Sequence, residues 1–172
     1  VEGFAVVKTA EAHRLRDAGV TKPILLMAVF DEADGPDLVR RDIMLAPCTD
    51  DGVQRAIRAA RAAGWQAGIH FYVDTGLGRM GVPAHRALPL MLEAQGAPEL
   101  RVEGTFMTFT EDDDFDREQL RRFRELAGAA TERGLSVGRL HAASSHSVYH
   151  RPDGYLDLVR PGISLFGGYP TD

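Results

Sequence analysis

The chain has 172 residues, of which 44% are hydrophobic and 26% charged, as expected for one soluble globular domain with its own core. The formal net charge of -5 argues against a general nucleic-acid binder, because such proteins carry a basic excess. No apolar run reaches the roughly 18 residues that cross a bilayer, and no segment resembles a signal peptide, so we expect no membrane partner. Cys48 is the only cysteine, which favours a reducing, cytoplasmic setting.

Short apolar runs alternate with helical patterns along the whole chain. The predicted strands are Phe4–Val7, Ile24–Met27, Ile43–Ala46, Gly68–Val73, Val102–Phe109, Arg139–Ala143 and Leu156–Val159. The predicted helices are Thr9–Ala18, Thr49–Ala63, Pro83–Gln95 and Asp116–Arg133. This alternation indicates βα units around a parallel sheet. Seven strands in one series favour an α/β fold of the TIM-type (β/α)8 class, with about seven of its eight units, over a doubly wound sheet.

A glycine-rich segment, VDTGLGRMGV, follows the fourth predicted strand. It has three glycines within six residues, and the charged residues Asp74 and Arg79 lie beside the strand end. Bare backbone next to an arginine suits an anionic ligand. A loop that needs its glycines only for a tight turn is an equal alternative at this point.

The segment LHAASSHS follows the sixth predicted strand. Ser144 and Ser145 stand where a helix begins, which suits either a phosphate cradle or a simple helix cap. His146 and His150 lie four residues apart, the spacing of a metal-binding pair. No carboxylate or cysteine partner is evident, so we expect a solvated helix face there and no metal.

Two further segments combine charge with a strand end. In LVRPGISLFGG, Arg160 is followed by a forced turn that exposes amide donors, and a buried arginine needs an acceptor. In EDDDFD, residues 111–116, the carboxylates suit either a divalent cation or a solvated loop at an acidic helix start. We favour the helix start.

Taken together, these segments resemble the N-terminal barrel domain of alanine racemase, a fold-type III pyridoxal-phosphate enzyme. GFAVVKTAEAHRLRDAG is similar to the second-strand segment of that family, and VDTGLGRMGV to its DTGMGRLG. VEGTFMTFTEDD is similar to LEGIFTHFA.AD, HAASS to H.ANS, and DLVRPGISLFGGYP to DMVRPGI.LYG..P. The matches cover essentially the whole chain in order, so residues 1–172 are expected to form one partial barrel domain.

The resemblance implies a role for each matched residue. Arg79 contacts the ring oxygen of pyridoxal 5'-phosphate and the carboxylate of the amino-acid substrate. Ser145 and the backbone of Gly162 and Ile163 hold the phosphate.

The resemblance also implies that Arg160 donates to the pyridine nitrogen, with His141 hydrogen-bonded to Arg160 from behind. An arginine holds its proton, so the ring nitrogen stays unprotonated. The ring is then a weaker electron sink, which favours simple proton exchange at Cα.

Three positions depart from the family pattern. Tyr72 stands where many members have a lysine that becomes carbamylated. Thr108 stands where the histidine of THFA is usual, and Ser144 replaces the asparagine of ANS. A related amino acid is therefore an alternative to alanine as the substrate.

The two bases of the racemase reaction are not among these residues. The resemblance implies a cofactor lysine on a strand before GFAVV and a catalytic tyrosine in a C-terminal domain of the partner subunit. AVVK, residues 5–8, is identical to four residues of the family's lysine motif. The residues that follow, TAEAHRLRDAG, resemble the family's second strand and helix instead, so we expect Lys8 to be a strand-end residue. Two-base proton transfer needs both groups, so this chain alone is expected to be inactive.

We therefore expect a fragment of a cytoplasmic, homodimeric racemase that interconverts L- and D-alanine or a related amino acid. Two alternatives remain at this point. One is a non-catalytic barrel module that binds pyridoxal phosphate or phosphate. The other is a fold-type III D-amino-acid aldolase, although the VRPGI segment argues against it.

Overall fold

The computed structural model describes residues 1–169. Its strands are β1 (Phe4–Val6), β2 (Ile24–Leu26), β3 (Ile43–Leu45), β4 (Ala67–Asp74), β5 (Val82–Pro83), β6 (Leu100–Phe106) and β7 (Arg139–His141). Its α-helices are α1 (Thr9–Asp17), α2 (Gly35–Arg40), α3 (Gly52–Ala63), α4 (Ala84–Gln95), α5 (Asp113–Glu132) and α6 (Ser145–His150). Short 3-10 helices cover Pro152–Gly154 and Ile163–Phe166. No helix within this part of the chain is long and apolar enough to cross a membrane.

The strands form one parallel sheet in the order β1-β2-β3-β4-β6-β7, with β5 paired to the end of β4. Consecutive strands are neighbours, as in a βα barrel, and the sheet is a curled half-barrel that matches an incomplete TIM fold. The predicted α/β class is confirmed. The pairing of β4 with β6 has one irregularity, because Ile69 lies opposite Val102 while the next residue, His70, lies opposite Gly104. Glu103 is therefore an extra residue on β6, a β-bulge.

Two apolar layers follow from the alternation of side chains along the strands. Ile24 and Leu26 of β2 belong to the large cluster that packs the sheet against the helices. Leu25 between them belongs to a second cluster with Tyr72 and Phe106 on the inner side of the curl. Because strands such as β2 are buried on both faces, they appear in the sequence as continuous apolar runs.

The seventh predicted strand, Leu156–Val159, is wrong. Only Leu158 makes a bridge, opposite His141. Leu156 has a φ of 51°, which lies in the left-handed region and turns the chain away from an extended path. Helix α2 is absent from the sequence prediction because its six residues, which include Pro36, are too short to show a helical period.

The acidic segment 111–116 is the start of a helix, as predicted. The Asp112 carboxylate accepts the N–H of Phe115 at 2.9 Å, so α5 begins at Asp113, three residues earlier than predicted. The expectation that the whole segment is solvated is wrong for Asp116. Its side chain is fully buried and accepts the N–H and the hydroxyl of Thr110 at 2.9 and 2.8 Å.

The outer strands of the sheet leave pairing edges open. Within residues 1–169, β1 pairs only with β2, and β7 pairs with β6 and with the single bridge at Leu158. Near the end of the described chain, Ile163 is 61% exposed and Phe166 90% exposed. Unpaired edges and exposed apolar side chains both promote association.

We expect the 172-residue chain to form dimers or larger assemblies in solution. Static light scattering at several protein concentrations measures this directly, and the mass should rise with concentration. A monodisperse monomer of 18.8 kDa across the range contradicts the expectation.

Candidate functional site

Three aromatic side chains form a ladder across the inner face of β4, β6 and β7. Strand register places Tyr72 opposite Phe106, and Phe106 opposite His141. The ring centroids of Tyr72 and Phe106 are 4.3 Å apart, and those of Phe106 and His141 are 4.9 Å apart, with both pairs stacked. The ladder is a flat, rigid support for whatever lies against it.

Arg160 lies against this ladder and is held from several directions. Its Nη1 donates to His141 Nδ1 at 2.7 Å, and its Nη2 donates to the carbonyls of Met107 at 2.8 Å and Ala142 at 3.0 Å. The guanidinium carbon lies 5.1 Å from the centre of the Phe106 ring, a cation–π distance. The guanidinium therefore has one fixed orientation.

The donors of Arg160 fix the protons of two histidines. Arginine only donates, so His141 Nδ1 accepts and His141 Nε2 carries the ring proton. His141 Nε2 lies 2.9 Å from His70 Nδ1 and donates to it, which leaves the His70 proton on Nε2. The chain of hydrogen bonds thus runs in one direction, from Arg160 through His141 to His70.

Burial sets the charge of this trio. Burial, followed by the charge of Arg160, lowers the pKa of His141 to about 2. Burial lowers the pKa of His70 to about 4, with Glu103 opposing the shift. Burial also lowers the pKa of Arg160 to about 10, partly offset by Tyr72. At neutral pH the arginine is charged and both histidines are neutral.

His70 is not among the site residues predicted from the sequence. A signal was present, because His70 and Tyr72 are the two residues with polar groups that alternate with Phe71 and Val73 in an otherwise apolar strand. Residues two apart in a strand share a face, so the pair indicates a polar stripe on one side of β4. Both side chains are buried in the structure.

A second group of residues lies where α6 begins. Ser145 Oγ accepts the N–H of Gly162 at 2.9 Å and the N–H of Ser164 at 3.3 Å. The structure therefore brings Ser145 and Gly162 together, and Ile163 is the next residue, at the start of a 3-10 helix. Within residues 1–169 the N–H of Ile163 makes no hydrogen bond. Exposed amides beside a serine hydroxyl can bind a phosphate.

The glycine-rich loop has its own internal support. The Asp74 carboxylate accepts the N–H groups of Gly76 at 2.9 Å and Gly78 at 3.2 Å. Met80 packs against the inner apolar cluster, while Arg79 is exposed. Arg79 makes no hydrogen bond or ion pair to the rest of the described chain, so the structure does not join it to Arg160.

Of the three positions that depart from the family pattern, Tyr72 and Thr108 contact each other. Tyr72 Oη lies 3.2 Å from Thr108 Oγ1, and Arg160 Nη2 lies 3.5 Å from the same Thr108 oxygen. Ser144 immediately precedes α6, and its side chain makes no capping hydrogen bond.

Two other sequence candidates have ordinary surroundings. The rings of His146 and His150 stack at 4.4 Å, and residues 1–169 contain no group of three His, Cys, Asp or Glu side chains suited to a metal. Lys8 is exposed and precedes α1, where its N–H donates to the Glu11 carboxylate at 3.2 Å.

The chain as a whole has counterparts among known proteins. The family model described as "Alanine racemase, N-terminal domain" matches residues 1–170. The chain belongs to the alanine racemase family. The alanine racemase of Desulforamulus reducens is 33% identical over 174 residues, covering 98% of this chain and 47% of that protein.

Solved structures of alanine racemases have the same fold. The enzyme of Clostridium difficile 630 superposes with a TM-score of 0.95 at 26% identity, over 100% of this chain and 49% of its own. The enzyme of Bacillus anthracis, described with bound L-Ala-P, superposes with a TM-score of 0.85 at 28% identity. The match covers 97% of this chain and 44% of that enzyme. The chain thus spans about half the length of the alanine racemases it matches.

Proposed function

We propose that this chain is the cofactor-binding barrel of a pyridoxal-phosphate-dependent alanine racemase, with residues 1–172 as one partial domain. The observation that supports this most is the guanidinium of Arg160, held on the inner face by His141 and two carbonyls. An arginine fixed so firmly from one side is suited to meet a ring nitrogen on the other.

The residues present fit the cofactor. Arg160 has five N–H donors, and its Nε–H makes no hydrogen bond within residues 1–169, so donors remain for an acceptor. The exposed amide of Ile163 and the Ser145 hydroxyl offer donors for a phosphate. Arg79 is free of other ion pairs in the described chain, which suits a carboxylate ligand.

Each group has a defined task in this proposal. Arg160 donates to the pyridine nitrogen and keeps its own proton, because its pKa of about 10 is above neutral pH. Neutral His141 accepts from Arg160 and prevents its rotation. The Ser145 hydroxyl and the Ile163 N–H bind the phosphate, and Gly162, whose N–H donates to Ser145 Oγ, orients the serine. Arg79 binds the ring oxygen and the substrate carboxylate.

The bound cofactor would supply an electron sink for the loss of the Cα proton. Racemisation also needs one base on each face of Cα. We assign neither base to the residues of this chain, and Lys8 is exposed at the start of a helix. We propose that the complete enzyme is a cytoplasmic homodimer and that alanine, or a related amino acid, is its substrate. The L-Ala-P in the Bacillus anthracis enzyme supports this substrate class.

We expect the 172-residue chain to bind pyridoxine 5'-phosphate, which has the ring nitrogen and the phosphate but no aldehyde. Arg160→Lys keeps the charge and loses the planar fork, so affinity should fall about 10- to 100-fold, the value of one charge-assisted hydrogen bond. Isothermal titration calorimetry measures the Kd.

The matched control is Arg117→Lys, which changes an exposed arginine paired with Asp114 and should leave the Kd unchanged. Equal affinity of the Arg160→Lys variant and the parent chain would contradict the assignment of the ring nitrogen to Arg160.

A further inference from the structure

The hydroxyl of Tyr72 lies close to Arg160 without touching it. Tyr72 Oη is 3.2 Å from Thr108 Oγ1, and Thr108 Oγ1 is 3.5 Å from Arg160 Nη2. Nη2 has two N–H groups, which donate to the carbonyls of Met107 and Ala142, so Thr108 Oγ1 is a third, longer acceptor that shares one of them. The Tyr72 hydroxyl is therefore within hydrogen-bond distance of the threonine oxygen that faces Arg160.

Tyr72 reaches Arg160 by a second route. Its ring stacks on Phe106 with 4.3 Å between centroids and an interplanar angle of 25°. Phe106 in turn lies against Arg160, whose guanidinium carbon is 5.1 Å from the ring centre. Tyr72 and Phe106 are buried, whereas Thr108 and Arg160 are partly exposed.

The remaining hydrogen bonds of Arg160 within the described chain involve its two Nη atoms. His141 lies at Nη1, and the carbonyls of Met107 and Ala142 lie at Nη2. The Phe106 ring, over which the guanidinium lies, is supported by His141 on one side and by Tyr72 on the other. Without Tyr72, the Phe106 ring and the Thr108 hydroxyl would both gain rotational freedom beside the guanidinium.

We propose that Tyr72 is a positioning residue for Arg160, acting through the Thr108 hydroxyl and the Phe106 ring. The inference rests on the proposed function, in which Arg160 meets the ring nitrogen of the cofactor. Tyr72 and Thr108 act as a pair: each is needed for the other to hold its place.

The first test needs no ligand. Hydrogen exchange of the Arg160 guanidinium is measured by NMR on the ¹⁵N-arginine-labelled 172-residue chain, with the signal assigned by its loss in Arg160→Lys. Tyr72→Phe keeps the ring and removes the hydroxyl, so exchange at Arg160 should become about 3- to 10-fold faster, the size of one lost hydrogen bond.

Two references separate positioning from general loosening. Arg55, which donates to the carbonyl of Phe30 at 3.1 Å, is the internal reference and should not change. Tyr149→Phe, on a half-exposed tyrosine, is the matched control. If exchange at Arg160 in Tyr72→Phe is unchanged, or rises equally at Arg55, the proposal is overturned. Should Tyr72→Phe fail to fold, Thr108→Val removes the same contact and must give the same selective acceleration.

The second test uses the ligand. Tyr72→Phe should weaken binding of pyridoxine 5'-phosphate about 3- to 10-fold and leave unchanged the binding of its analogue with C–H in place of the ring nitrogen. If Tyr72→Phe binds pyridoxine 5'-phosphate as tightly as the parent chain does, the positioning role is wrong and the proposed function is unaffected. If the parent chain binds neither compound, the proposed function fails, and the exchange measurement alone decides the role of Tyr72.

Discussion

The free energy of unfolding should fall by about 3 to 4 kcal/mol when the pH is lowered from 7 to 5, because two buried histidines stay neutral in the folded chain. A histidine in an unfolded chain has a pKa of about 6.5. In the folded chain the pKa of His70 is about 4 and that of His141 about 2. Between these limits the unfolded state binds more protons, so stability is full above pH 6.5 and is lost as the pH falls.

Urea unfolding at several pH values between 7.5 and 5 measures this effect. The window lies above the range in which carboxylates titrate, so the histidines dominate it. His70→Gln should reduce the pH dependence by about half, since one of the two proton sites is gone. His85→Gln, on an exposed histidine, is the control and should leave it unchanged. A flat profile from pH 7 to 5 would show that the two rings are not buried as described.

Gly104→Ala should destabilise the fold by about 3 kcal/mol, near the upper end for overpacking a core. A Cβ on Gly104 would lie 2.5 Å from Cε1 of His70 and 2.7 Å from the carbonyl oxygen of Arg139. The ring could move only by giving up its hydrogen bond to His141. The carbonyl belongs to the backbone of β7 and has no alternative position. The midpoint of thermal unfolding should drop by roughly 6 to 12 °C.

The control for this variant is the same substitution at Gly128. Gly128 is exposed in the C-terminal part of α5, and a Cβ there meets nothing within 4 Å. Alanine is a better helix former than glycine, so Gly128→Ala should stabilise the chain by about 0.5 to 1 kcal/mol. If Gly104→Ala unfolds at the temperature of the parent chain, β4 and β6 do not approach as closely as the structure has them.

Much of the fold can be predicted from the sequence because the central strands β2 and β4 are buried on both faces. Runs such as Ile24–Met27 have few alternatives to a parallel strand when helical patterns flank them. The errors have local causes. Leu156–Val159 has the composition of a strand, but a single residue with positive φ ends its pairing. Such a turn has no signature when the residue is leucine, since glycine and asparagine are the residues expected there.

The candidate site is less predictable from local patterns. Arg160, His141 and Ser145 were found through a resemblance that spans the chain, and their separate motifs were weak. His70 and Phe106 were missed because their roles come from pairing between strands. The inner position of Phe106 depends on the extra residue Glu103, and no periodic pattern in LRVEGTF shows where such a bulge lies.

The bulge also determines which length changes β6 can accept. Glu103 opposes no residue of β4, so its deletion would leave Gly104 opposite His70 and Phe106 opposite Tyr72. Deletion of Thr105 would instead turn Phe106 toward the helices or carry Glu103 inward against His70. Glu103 and Thr105 are two residues apart in one strand. Deletion of Glu103 preserves the aromatic ladder, whereas deletion of Thr105 disrupts it.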